Sequence, residues 1–124
     1  MRTIRFRAQE IASNKWLYGD LRHHKDDVCI FEQGGTKGEQ VKRETIGQFT
    51  SLRDINGKDI YEGDILEVDY ADEESYLEVR FVRGVFAFLW NGDLDDEFPC
   101  NAPTHEWARV VGNIYDNPEL IRKR

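Results

Sequence analysis

LRDINGKDIYEGDILEV (Leu52–Val68) places an Asn-Gly pair and a Gly-Asp step ahead of an apolar strand-like run. Asn56-Gly57 is the pair a tight turn demands, because both residue types enter positive φ at low cost. Gly63 offers a second permissive backbone position before Ile65, Leu66 and Val68 begin a strand. The stretch holds five acids and two bases, so it can also be read as an acidic site. The positions of those acids decide the matter. Asp54 and Asp59 flank the turn, where an Asx carboxylate accepts nearby backbone N–H bonds, and Asp64 stands at a strand entrance. Asp54, Asn56, Gly57, Gly63 and Asp64 are therefore expected to be structural turn residues.

Outward from this corner the apolar pattern is short and mostly of period two, which marks half-buried strands. IRFRA sets Ile4, Phe6 and Ala8 against Arg5 and Arg7. VCIFEQ reads as a strand that stops at Gly34-Gly35, and VKRETIGQFTSL as the next. In YLEVRFV, Leu77, Val79 and Phe81 alternate with Glu78 and Arg80. VFAFLW is apolar throughout, so both of its faces are covered or one meets a partner; Phe86, Phe88 and Trp90 are its candidate interface residues. EWARVVGNIY reads as a final strand. NPELIRK, with Asn at an N-cap, Pro at N1 and bases at its end, reads as a short C-terminal helix. The tally is seven or eight strands without a βαβ rhythm. It predicts a mainly β fold: a small antiparallel barrel or rolled sheet, SH3-like barrels included, carrying a short C-terminal helix.

The chain has 124 residues, 33% charged and 40% hydrophobic, with a formal net charge of −7. Such a length fits a single domain over residues 1–124. The acidic balance argues against a general nucleic-acid backbone binder, which needs a basic footprint. Charge is uneven: Leu52–Glu78 holds ten acids and two bases, and Asp93–Glu97 adds four acids. No uninterrupted apolar run suggests a signal or membrane segment, so a cytoplasmic location and no membrane partner are expected. Cys29 reads as a core thiol and Cys100 lies in a turn-rich stretch.

Candidate chemistry is thin. His23, His24, Asp26, Asp27 and Cys29 are zinc-compatible residue types, but their spacing matches no closed ligand motif. Asp72-Glu73-Glu74 and Asp95-Asp96-Glu97 lack the alternation and central Gly of a calcium loop. No GxSxG, GxGxxG or GxxxxGK[ST] occurs. Accordingly no catalytic residue, metal site or cofactor is expected. Arg5, Arg7, Lys42 and Arg43, lying beside aromatics, form a candidate nucleic-acid face.

IGQFTSLRDINGKDIYEGDILEV, followed near the end by VVGNIYDNPELI, closely resembles the phage- and prophage-associated YopX family, as does the opening IRFRA with NKWLY. The family pattern maps onto Ile46 to Thr50, Leu52 with Asp54, Asn56 and Gly57, Ile60 to Ile65, Val111 to Tyr115 and Asn117 to Leu120. Val111 stands where Ile is commoner and Phe49 where Tyr is commoner. Residues 71–106 carry no family motif. The resemblance implies a mostly β fold, a mobile-element origin in a bacterial host and a capacity for oligomers, and it transfers no activity. The functional expectation is a non-catalytic interaction or assembly protein with a protein partner or its own copies. The alternatives are a nucleic-acid accessory module and, last, a small hydrolase or metal enzyme.

Overall fold

The computed structural model describes residues 3–70, 73–99 and 103–121. Cys100 and the last three bases lie outside them. The chain forms two compact units, Met1–Phe49 and Thr50–Arg124. Among the described residues it is mainly β, with two antiparallel sheets, one four-residue α-helix and two 3-10 turns.

In the first unit, β1 (Phe6–Gln9), β2 (Trp16–His24), β3 (Asp27–Glu32) and β4 (Glu39–Gln40) run as an antiparallel meander. β1 also pairs with the start of β5 (Gly47–Arg53) through Phe6↔Gln48 and Arg7↔Gly47. Register fixes the faces. Ala8 opposes Leu17 and Leu21 opposes Ile30, and these residues share a core with Val28 and Val41, on which Phe6 and Ile46 pack. The opposite face carries Arg7↔Tyr18, Asp20↔Phe31 and Arg22↔Cys29. Ile4 precedes the strand and is exposed, so it does not join Phe6 and Ala8 inside. Before β5, Arg43–Thr45 form a 3-10 turn rather than the continuous strand read from VKRETIGQFTSL. Thr45 explains this: its hydroxyl donates to Lys42 O at 2.7 Å and accepts the Gln9 N–H at 2.9 Å.

In the second unit the rest of β5 leads to β6 (Asp59–Tyr61). A five-stranded sheet of order β10-β9-β8-β7-β11 follows, built from β7 (Asp64–Tyr70), β8 (Glu73–Val82), β9 (Val85–Trp90), β10 (Glu97–Pro99) and β11 (Arg109–Asn113). Arg83 and Gly84, at φ 47° and 85°, make the two-residue turn of the β8–β9 hairpin, the conformation that matches strand twist. Ile60, Leu66, Val68, Leu77, Val79, Phe88 and Ala108 form this unit's core.

Three readings are corrected here. Glu78 is 1% exposed, inside the sheet rather than on a wet face. The strand read from EWARVVGNIY begins only at Arg109: Thr104–Trp107 form α1, because the Thr104 hydroxyl donates to Arg53 O at 2.8 Å and Trp107 packs edge-on to Phe88. The C-terminal helix is a 3-10 turn, Pro118–Ile121. Asn117 does not cap it forward; its Oδ1 accepts the Asn113 N–H behind it.

Two glycines give contrasting tests. A Cβ on Gly19 would lie 2.1 Å from the Phe31 carbonyl oxygen and 2.9 Å from Glu32 Cα, both backbone atoms that cannot rotate away. Gly57 has φ 80° but nothing near its missing Cβ, so only the conformational term opposes a side chain. In urea denaturation, Gly19→Ala should lose about 2 kcal/mol or more and Gly57→Ala about 1 kcal/mol. Equal losses would contradict the backbone clash at Gly19.

Candidate functional site

The acidic corner is built by one carboxylate. Asp54 is 2% exposed; its Oδ1 accepts the N–H groups of Asn56 and Lys58, each at 2.9 Å. Its Oδ2 accepts the N–H of Val110 on β11, also at 2.9 Å. Backbone bonds from Ile55 N–H to Ala108 O (2.8 Å) and from Gly57 N–H to Asp54 O (2.9 Å) complete the turn. A few residues on, Asp64 Oδ2 accepts the Tyr61 N–H at 2.7 Å. Gly63, at φ 93°, donates to Val79 O and accepts from Ile114 N–H. Asn113 Oδ1 accepts the N–H groups of Tyr115 and Asp116, just beyond a β-bulge between Val110 and Gly112. The central and C-terminal motifs thus meet, and their polar side chains serve backbone groups.

This geometry bears on acid–base chemistry. Burial alone would raise the Asp54 carboxyl, but the bonds from Val110, Lys58 and Asn56 and the charge of Lys58 outweigh it and hold the group below its ordinary value. A carboxylate so occupied is a poor proton carrier. Glu78 is the opposite case: burial pushes it up, against the hydrogen bond and charge of Arg80. Its Oε2 accepts from Arg80 Nε at 2.7 Å, while Oε1 has no partner among the described residues. The strand alternation of YLEVRFV disguised this inward acid. No group of three or more His, Cys, Asp and Glu side chains among the described residues is arranged to hold a metal ion, and no helix among them is long and apolar enough to cross a membrane.

The aromatic strand divides into core and tip. Phe88 is wholly buried, 5.3 Å from Phe98 and 6.0 Å from Trp107 between ring centres; Trp90 packs half-buried on the same core. Phe86 is half-buried near the hairpin end, where it meets Phe81 edge-to-face at 5.2 Å. Phe81 and Val85 are 49% and 54% exposed, although the sequence pattern placed Phe81 with the inward residues. Their exposure comes from position: the alternation continues past the end of the core.

The four bases of the candidate nucleic-acid face separate into two places. Arg5 lies over the Phe49 ring at 5.4 Å and Arg7 over Trp16 at 4.9 Å; Arg7 is only 5% exposed. Lys42 and Arg43 open the 3-10 turn, with Lys42 donating to Asn14 Oδ1 and Arg43 to Asp26 O. A third pair, Arg22 over Phe31 at 4.5 Å, escaped the sequence reading because the register of β2 on β3, not closeness in sequence, brings the two together. Charge also divides by unit. Residues 1–49 hold nine Lys and Arg against seven Asp and Glu, and residues 50–124 eight against seventeen.

A family model described as YopX protein matches residues 5–122. The chain belongs to the YopX family. This phage- and prophage-associated family accounts for both motif blocks, and in this YopX protein those blocks form the Asp54 corner and its β11 closure. The crystal structure of protein EF1440 from Enterococcus faecalis is similar to it, with a TM-score of 0.62 over 98% of this chain and 100% of that one at 24% identity. That likeness establishes the fold. No curated protein matches the YopX chain significantly.

The Asp54 linkage has a definite sign. Its folded pKa lies below the unfolded one, so its contribution is present above the unfolded value of about 3.9 and is lost as pH falls through the folded value. Asp54→Asn should therefore lose about 2–3 kcal/mol at neutral pH. The gap to wild type should narrow in acid, as followed by thermal melting between pH 7 and pH 3. A gap that stays constant across that range would show that the charge of Asp54 is not what holds the corner.

Proposed function

We propose that this YopX-family chain is an interaction or assembly protein, one domain over residues 1–124, that works in the bacterial cytoplasm through contact rather than catalysis. The observation that carries this reading is the β8–β9 hairpin end. Phe81, half exposed, meets Phe86 edge-on on one face of the hairpin end, and Val85, half exposed, stands on the other face opposite Val82, with a rigid two-residue turn joining the strands. Apolar groups held outward on a fixed backbone lose little entropy when covered, and aromatic anchors of this kind dominate contact energies. Arg83, at the apex, pairs with Glu97 on β10, which braces the tip. A second copy of the chain is the occupant this reading favours. The rolled form of the second unit's sheet belongs to the same reading, and the β11 bulge supports it, since bulges increase local twist.

Light scattering behind size exclusion tests this. Wild type should run as an oligomer, and Phe81→Ser with Val85→Ser as a monomer with an unchanged melting temperature, since neither side chain is core. A wild-type monomer, combined with equal recovery of host or phage proteins by wild type and variant from infected cells, would overturn the proposal.

A further inference from the structure

On the non-core face of the first unit's sheet, two adjoining hollows share Arg22 and Phe31. One, of 870 Å³, is lined by Arg5, Tyr18, Asp20 and the Gly34-Gly35 turn among others; the smaller, of 310 Å³, adds His24, Cys29 and Gln40. Both volumes suit a small ligand or one unit of a larger one. Their chemistry is layered across the strands. The Arg22 guanidinium carbon lies over the Phe31 ring, 4.5 Å from its centre, and that of Arg5 lies over Phe49 at 5.4 Å. Stacking holds each planar fork in place, so little freedom is lost when it meets an anion. Tyr18, 41% exposed, lines the larger hollow with both arginines. Asp20 stands between Tyr18 and Arg22 on β2, directly opposite Phe31.

The geometry points to a nucleotide unit as the ligand of this hollow. Tyr18 supplies a ring for a base to stack on, Arg5 and Arg22 supply paired donors for phosphate, and Asp20 supplies an acceptor for a base amino group or a sugar hydroxyl. A bare polyphosphate fits poorly, because Asp20 and Glu32 line the same hollow and balance its two cations. The excess of bases over acids in residues 1–49 sets this unit apart from the acidic remainder. Arg7, Lys42 and Arg43 take no part: Arg7 is buried, and the other two line a separate hollow. The unit has two sources with the same chemistry, a free mononucleotide and a residue within a single strand.

Full-length protein is titrated with AMP, by calorimetry, and with a labelled oligo-dA, by fluorescence anisotropy, at about 50 mM salt. Saturable binding of either probe is expected, weakened about fivefold or more by Tyr18→Ala and by Arg22→Gln, and retained by Tyr18→Phe. Binding of oligo-dA alone assigns the strand as the source, and binding of AMP alone the free nucleotide. Two phosphate contacts predict a shallow salt slope, about −1.4 for a single strand. Thermal melting of each variant separates lost binding from lost folding. Absence of binding by both probes, binding indifferent to both substitutions, or a salt slope several times steeper would overturn the assignment. The Phe81 and Val85 variants should leave it unaltered, so this site and the hairpin tip succeed or fail separately.

Discussion

The second unit depends on one buried carboxylate that faces two ways along the chain. Asp54 Oδ1 organises the turn immediately after it, through Asn56 and Lys58, while Oδ2 holds Val110, a residue 56 positions later. The local bonds shape the corner, and the distant one fastens β11 to it. Neutralise Asp54 and one oxygen stops being a plain acceptor, so one of the two sets of backbone donors is left short in a place that is almost wholly buried. Around this point the other polar side chains repeat the device on a smaller scale: Asp64 on Tyr61, Asn117 on Asn113, Thr104 on Arg53. The motifs that define the family are thus largely instructions for satisfying backbone groups where strands bend.

The first unit solves a different problem by different means. Its core is aliphatic and one-sided. On its other face arginines lie over aromatic rings, from Phe49 through Arg5 and Arg7 to Trp16, and again at Arg22 and Phe31. A guanidinium tolerates such a half-dry position because it is weakly hydrated and keeps its charge. The layer is closed at Arg7 and open at Tyr18 and Arg22. Cations in the first unit therefore serve packing at one end and accessible chemistry at the other.

Much of the fold class was legible because its signals are local. Alternation along IRFRA, VCIFEQ and YLEVRFV announces strands, and the absence of a βαβ rhythm leaves antiparallel sheets as the solution. Local patterns failed where a long-range partner decided the outcome. Glu78 alternates as though outward, yet the sheet is covered on both sides there. Glu106 and Trp107 read as strand, yet they lie in a helical turn that starts where Thr104 finds the Arg53 carbonyl. Asn117 has the residue type of a helix cap, but its carboxamide is turned back to Asn113. The candidate sites show the same limit. A basic cluster is visible in sequence, whereas Arg22 over Phe31 arises from strand register, which no window of neighbouring residues contains. Likewise, VFAFLW could not reveal that its middle is core and that exposure begins only beyond the hairpin turn.

The reach of Asp54 also orders events during synthesis. The pairings among β1, β2, β3 and β4, and that of β1 with the start of β5, all lie within the first 49 residues, so that unit can close as soon as they clear the ribosome. The second half cannot. Its corner waits for Ala108 and Val110, and Gly63 waits for Ile114, so residues 54–63 emerge early and form their local bonds, yet lack these last three until nearly all of the described chain has appeared. Meanwhile the apolar β8–β9 hairpin is already out, and nascent chains with such uncovered strands are the ones that chaperones must shield. The stretch that specifies the fold most clearly is among the last to be locked.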